Sequence, residues 1–234
     1  MYTHSAVTSA NADFEGLICK GLGQRATSHI AAISVVQKLS PGRTLFSEGD
    51  AAENVYEVVR GTLRLYKLLP DGRRQITGFL SAGHLLGLAH EDCYLYTAEA
   101  ITEVTLCRYP RARFVRMVDE VPGFARRLLD VTSNELCAAQ DQMLLLGRKS
   151  AVEKVASFIL TMAGRRGGQR SEVHIPMTRA DIADYLGLTV ETVSRTLTRL
   201  RQDGVIALQS ACCIELRNPG RLEELGAGEL AGDL

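Results

Sequence analysis

Hydrophobic and polar positions along this chain follow two different periods, and the change falls near Pro110. After a leader of about 25–35 residues, turn signals recur at Leu39-Ser40-Pro41-Gly42, Ser47-Glu48-Gly49-Asp50, Arg60-Gly61, Pro70-Asp71-Gly72 and Ser81-Ala82-Gly83. Between them lie short segments such as Val55–Val59 and Thr62–Lys67. In the second of these Leu63 and Leu65 share one face, while Thr62, Arg64 and Tyr66 share the other. Short strands at even spacing predict an all-β barrel or sandwich rather than alternating strand and helix.

Beyond Pro110 the period lengthens. From Phe124 to Leu146 there is neither Gly nor Pro, and Leu129, Thr132, Leu136, Ala139, Met143 and Leu146 are spaced 3, 4, 3, 4, 3. That is an a/d seam on one helix. The stripe serves either a two-helix contact with a second copy of the chain or packing on the helix's own domain. A homodimer is the favoured reading, because a helix joining two domains has little of its own chain to cover it. A helical segment from Ala151 to Met162 follows, then a Gly/Arg-rich break over Gly164–Arg170, a short strand Glu172–Ile175, and Pro176-Met177.

The next stretch carries the chemistry. Thr178 followed by Asp181 fits a capping box opening a helix through about Leu186, with Ile182, Ala183 and Leu186 on its apolar side. Gly187 supplies a tight turn, and Thr189 caps a second helix running to Gly204. Two short helices joined through a glycine turn form a helix-turn-helix. On the second helix Val190, Val193, Leu197 and Leu200 are set to bury against the first, and Glu191, Ser194, Arg195 and Arg199 lie on the other side. A carboxylate accepts from cytosine N4, and an arginine bridges guanine O6 and N7, so Glu191 and Arg195 are candidate base contacts. Taken alone, the helix equally suits a solvated amphipathic role with a Glu191–Arg195 ion pair. The sequel decides: Val205–Leu208 and Cys213–Arg217 flank Gln209-Ser210 as the two strands of a wing. Thr178, Arg179, Thr189, Thr192, Thr198, Arg199 and Arg201 are then candidate phosphate contacts, which set register without reading sequence.

The total charge at first opposes this reading. The 234 residues suit two modest domains, 46% of them are hydrophobic, and 27 basic side chains balance 27 acidic ones. A neutral chain lacks the basic footprint that nucleic acid demands. Divided by region, however, residues 1–147 carry 15 basic and 16 acidic groups (−1), residues 148–217 carry 11 and 7 (+4), and residues 218–234 carry 1 and 4 (−3). The basic excess sits on the helix-turn-helix block and is hidden by an acidic, Gly-rich tail. No apolar run reaches membrane-spanning length and the N-terminus has no signal-peptide pattern, so a cytoplasmic protein without a membrane partner is expected. The six cysteines (Cys19, Cys93, Cys107, Cys137, Cys212, Cys213) are irregularly spaced and read as free thiols. The neighbours Cys212 and Cys213 suit a strand better than a strained redox pair.

The turns at Gly42, Glu48-Gly49-Asp50 and Gly61, the long seam and the segment Leu186-Gly187-Leu188-Thr189-Val190-Glu191-Thr192-Val193-Ser194-Arg195 together resemble the CRP/FNR family of bacterial transcription regulators over roughly residues 30–217. The resemblance implies an α+β chain: an N-terminal leader (1–30), a β-roll of the cyclic-nucleotide-binding jelly-roll kind (31–120), a dimerisation helix (121–147), a winged helix-turn-helix (148–217) and a flexible acidic tail (218–234). The Glu191, Ser194, Arg195 pattern resembles the FNR and FixK branch. It implies a homodimer on a palindrome of TTGA-type half-sites, with Glu191 and Arg195 reading bases and Ser194 assisting. Double-stranded DNA and RNA polymerase are the implied partners. Activation of genes for low-oxygen or anaerobic metabolism, including nitrogen fixation, is the implied role.

Departures from the family narrow the cofactor question. Members that bind cyclic AMP carry a Gly-Glu pair and, about ten residues on, an Arg-Ser pair; here the stretch reads Gly83-His84-Leu85-Leu86-Gly87 and then Tyr94-Leu95-Tyr96-Thr97-Ala98. A cyclic phosphate would lack its counter-charge, so no cyclic nucleotide is expected. Oxygen-sensing members hold an iron–sulfur cluster on an N-terminal cysteine group plus a central cysteine; Cys19 stands alone, with Cys93 and Cys107 in the roll, so no cluster is expected either. His84 and His90 offer haem ligands, but no Cys-x-x-Cys-His is present. The expectation is a FixK-like regulator without a cofactor. The alternatives are a haem- or ligand-sensing regulator of the same family and a β-roll module acting on a protein partner, the latter having no use for a winged helix. No nucleophile–base, paired-carboxylate or metal spacing suggests an enzyme.

Overall fold

The computed structural model describes residues 17–19, 21–88, 92–164 and 171–228. The chain divides into two compact units, one of Met1–Lys67 and Thr77–Glu135, the other of Leu68–Ile76 and Leu136–Leu234.

A 3₁₀ turn (Leu17–Cys19) and helix α1 (Gln24–Ile33) precede eight strands, β1 (Val35–Leu39), β2 (Thr44–Phe46), β3 (Asn54–Arg60), β4 (Leu63–Leu68), β5 (Arg74–Leu80), β6 (Leu85–Leu86), β7 (Thr97–Ala100) and β8 (Val104–Pro110); all lie in the first unit except Leu68 and the start of β5, Arg74–Ile76, which belong to the second. They form two four-stranded sheets, ordered β1-β8-β3-β6 and β2-β7-β4-β5. The expected alternation appears in β4, where Leu63 and Leu65 are buried and Arg64 and Tyr66 are not. One apolar core, including Phe46, Tyr56, Leu63, Leu65, Leu86, Tyr94, Ala98 and Leu106, fills the roll. Gly61 is obligatory in its turn: its φ is +91°, and a Cβ there would come within 2.2 Å of the Glu103 carbonyl oxygen.

A second core packs Ile18, Ile30, Val55, Leu85 and Cys107 against Phe114 and Met117 of α2 (Arg111–Glu120) and Phe124 and Val131 of α3 (Phe124–Arg148). The leader is therefore structured in part: α1 crosses the boundary expected at residue 30, because Ile30 finds an apolar surface to cover. Within this layer Glu57 is 1% exposed and accepts hydrogen bonds from the Ile18 N–H and the Tyr109 hydroxyl, both at 3.1 Å. Burial and the Glu57 carboxylate push the Tyr109 phenol far above its ordinary range.

The second unit contains α4 (Ala151–Gly164), β9 (Glu172–His174), α5 (Arg179–Leu186), α6 (Val190–Gln202), β10 (Ile206–Ser210), β11 (Cys213–Leu216) and α7 (Pro219–Ala227). Strands β10, β11 and β9 form a small antiparallel sheet in that order. The flexible tail expected from residue 218 gives way to helix α7. Asn218 accepts from the Arg221 N–H at 3.0 Å, Pro219 opens the first turn, and Leu222 and Leu225 bury their side chains. Lys149 Nζ donates to the Gly226 carbonyl at 2.6 Å, pinning the end of α7. Composition alone hides this helix, since its polar face carries the acidic residues. All six cysteines are free thiols, and no helix among the described residues is long and apolar enough to cross a membrane.

Candidate nucleic-acid interface

Helix α5 begins at the expected capping box. Thr178 Oγ1 accepts the Asp181 N–H at 3.1 Å, and Asp181 Oδ2 accepts the Thr178 N–H at 3.1 Å. Asp181 is 1% exposed, and its other oxygen takes a 2.7 Å hydrogen bond from Arg74 Nη2. Arg74 also bonds Asp184 through Nε at 2.9 Å, and Gln75 Nε2 donates to the Asp184 carbonyl at 2.7 Å. Burial lowers the Arg74 pKa, but Asp184 and Asp181 more than offset it, leaving it above the ordinary value. Sequence reading missed this clasp: Arg74 and Asp181 are 107 residues apart, and no local pattern joins them. Gly187 closes α5 with φ +62°, the left-handed conformation the turn needs.

Helix α6 starts at Thr189, whose Oγ1 accepts the Thr192 N–H at 3.1 Å. Val193, Leu197 and Leu200 are buried, as their spacing requires, and so is Thr196. Val190, assigned by spacing to the same face, is 47% exposed instead. It is the first residue of the helix, one turn short of the apolar contact. On the outer face the Arg195 and Glu191 side chains are 79% and 71% exposed and meet at 2.6 Å. Ser194 Oγ donates to the Val190 carbonyl at 2.8 Å, and Thr198 Oγ1 to the Ser194 carbonyl at 2.9 Å. With their hydrogens so engaged, both hydroxyls present acceptor lone pairs outward. Glu191 lies in the first turn and Arg199 and Arg201 in the last, the arrangement the helix dipole favours. Arg199 turns toward Asp203, at 3.8 Å.

Of the remaining candidates for phosphate contact, Thr178, Thr189, Thr198 and Arg201 are exposed, and Thr192 and Arg179 half-exposed. Burial lowers the Arg179 pKa while nearby Cys212 raises it. Cys212 sits in the turn between β10 and β11, and Cys213 in β11 itself. Along α3 the whole proposed seam faces outward: Leu129, Leu136 and Met143 are 65%, 60% and 64% exposed and Leu146 is 36% exposed. Thr132 and Ala139 are exposed too, and the Thr132 hydroxyl bonds back to the Leu128 and Leu129 carbonyls at 3.0 Å.

Of the two histidines considered as haem ligands, His90 lies outside the described residues. His84 Nδ1 sits 2.9 Å from the Ser81 carbonyl oxygen in a local turn. Inside the roll Phe46 stacks on Tyr94 with ring centres 3.7 Å apart, and Tyr96 accepts the Gly87 N–H at 3.2 Å. Among the described residues no cluster of His, Cys, Asp or Glu is arranged to hold a metal.

The cyclic nucleotide-binding domain family matches residues 36–121, and the Crp-like helix-turn-helix domain family matches residues 153–225. The nitrogen fixation regulation protein FixK of Bradyrhizobium diazoefficiens is 48% identical over 191 residues, 80% of each chain. This chain belongs to the CRP/FNR family. The transcriptional activatory protein AadR of Rhodopseudomonas palustris is 42% identical over 90% of this chain and 89% of its own. Among solved structures, FixK2 from Bradyrhizobium japonicum superposes with a TM-score of 0.77 at 41% identity, over 82% of this chain and 97% of that one. The expected β-roll, long helix and winged helix are those of CRP/FNR proteins. As a FixK-like member of the family, the chain is a DNA-binding transcription activator and not an enzyme.

Proposed function

We propose that the protein acts as a homodimer on a palindrome of TTGA-type half-sites, with Glu191, Ser194 and Arg195 touching bases. The observation that carries this reading is the Glu191–Arg195 pair, exposed and mutually ordered at 2.6 Å on the free face of a capped helix. Each side chain supports the other's rotamer, so little further ordering is needed when the face enters a major groove. Ser194, whose hydrogen is engaged by the Val190 carbonyl, offers an acceptor to a base amino group. Thr178, Arg179, Thr189, Thr192, Thr198 and Arg201 hold the flanking phosphates, joined by Arg199 when it leaves Asp203. The exposed stripe Leu129, Thr132, Leu136, Ala139, Met143 and Leu146 pairs with its copy, which sets two recognition helices on two half-sites.

RNA polymerase is the proposed partner in activation. The names of the FixK relatives support a role in regulating nitrogen fixation or related low-oxygen metabolism. No cofactor is invoked: the aromatic side chains Phe46, Tyr56, Tyr94 and Tyr96 occupy the roll interior, and His84 is tied to its own turn. Selection of bound duplexes from a random pool tests the reading. Enrichment of paired TTGA-type half-sites is expected; enrichment of a single unpaired motif, or of none, refutes it.

A further inference from the structure

A cleft of about 320 Å³ opens among α4, α6 and α7, at the lower end of the range that small-molecule sites occupy. Its apolar walls come from one residue of α4, Val152, from Leu200 and Val205, and from Leu225 of α7. Thr196 also lines it. This residue is 6% exposed, and its hydroxyl makes no hydrogen bond to any described residue. Its neighbours on the same helix, Ser194 and Thr198, both bond back to the carbonyl four residues earlier. The Thr196 hydroxyl oxygen keeps some exposure within the cleft, which leaves it available to a ligand atom.

Charge at the cleft names the ligand's class. Arg199 and Arg221 line it against one carboxylate, Asp203. The Arg199–Asp203 contact is long, 3.8 Å, and leaves guanidinium donors uncommitted; Arg221 pairs with Glu224 through Nη1 at 3.1 Å. A guanidinium fork suits a carboxylate, and the aliphatic walls suit a short hydrocarbon body.

We propose that this cleft binds a small organic acid, its carboxylate held by Arg199 and Arg221, its aliphatic body against the apolar walls, and a polar atom near the Thr196 hydroxyl. The site lies toward the C-terminal half of α6, apart from Glu191, Ser194 and Arg195; it shares Arg199 with the proposed phosphate contacts, so it is tested in the DNA-free protein.

Hexanoate is the probe, titrated into the full-length chain while amide shifts are followed by NMR. Saturable shifts confined to α6, α7 and the Val152 turn are expected, with 1-hexanol binding more weakly. Arg221→Gln, a change at a half-exposed position, and the near-isosteric Thr196→Val are each expected to weaken hexanoate at least about fivefold, since each removes a polar contact. Absence of saturable shifts up to about 20 mM hexanoate overturns the proposal. Equal binding of hexanol, or hexanoate binding unchanged in Arg221→Gln, overturns the carboxylate assignment and the proposal with it.

Discussion

Replacing Arg195 with alanine separates DNA reading from folding. In the free protein Arg195 is 79% exposed and its only described ion pair is with Glu191, itself 71% exposed. An exposed i,i+4 pair contributes about 0.3–0.5 kcal/mol, and alanine restores part of that through its helix propensity. The melting temperature should therefore fall by no more than about 1–2 °C in a chain of this size. On DNA the balance differs, because a bidentate arginine–guanine contact is worth about 1–3 kcal/mol. Two half-sites make that about 2–6 kcal/mol, a loss of roughly 30-fold to 10⁴-fold at 1.4 kcal/mol per decade. Fluorescence anisotropy at one fixed salt concentration, with a TTGA palindrome and a scrambled duplex of equal length, measures it. Binding to the palindrome should drop toward the scrambled value, which should itself change by far less. An Arg195→Ala protein that keeps its melting temperature and still prefers the palindrome as strongly as the parent refutes the assigned contact.

Three other outcomes follow from the same geometry. Leu136→Glu puts a charge in the centre of the seam and should convert the dimer to a folded monomer, read by light scattering; an unchanged mass refutes the seam. Arg74→Ala strips the buried Asp181 carboxylate of its cation while leaving the Thr178 bonds, at a cost of about 1–3 kcal/mol; thermal melts should show a loss of several degrees, and no loss would mean the clasp is not formed in solution. Cys107 is buried, and burial pushes its thiol up to about 11. At pH 8 only about one part in a thousand is thiolate, so a disulfide reagent should label exposed Cys93 and spare Cys107 until unfolding. Because the folded value is raised, the associated stabilisation is complete below pH about 9 and fades as pH rises to about 11; labelling of Cys107 in the folded protein contradicts its placement.

Local chemistry was legible in the residues themselves. Thr178 with Asp181, Gly187 and Thr189 are short-range devices, and the structure forms each of them where the spacing put it. The period of α3 likewise appears as a continuous exposed stripe. What sequence reading missed depends on contacts across the chain. Arg74 reaches Asp181 through a hairpin tip far away in sequence. Thr196 is sheltered beside Val152 of α4 and Leu225 of α7, and composition hides that neighbourhood because α7 reads as an acidic tail. Val190 shows the limit of periodicity at a helix's first turn, where the pattern holds but the neighbouring helix does not reach. Arg199 shares a face with Glu191, Ser194 and Arg195 by spacing, but its guanidinium leans along the helix toward Asp203, a contact no single-residue pattern announces.

Native mass spectrometry of the protein, purified without added cofactor and mixed with a TTGA palindrome and its scrambled counterpart, tests the central claim most directly. Two chains per palindrome, with a mass equal to two polypeptides plus the duplex and little complex on the scrambled DNA, is the predicted result. One chain per duplex, or equal occupancy of both duplexes, would contradict it.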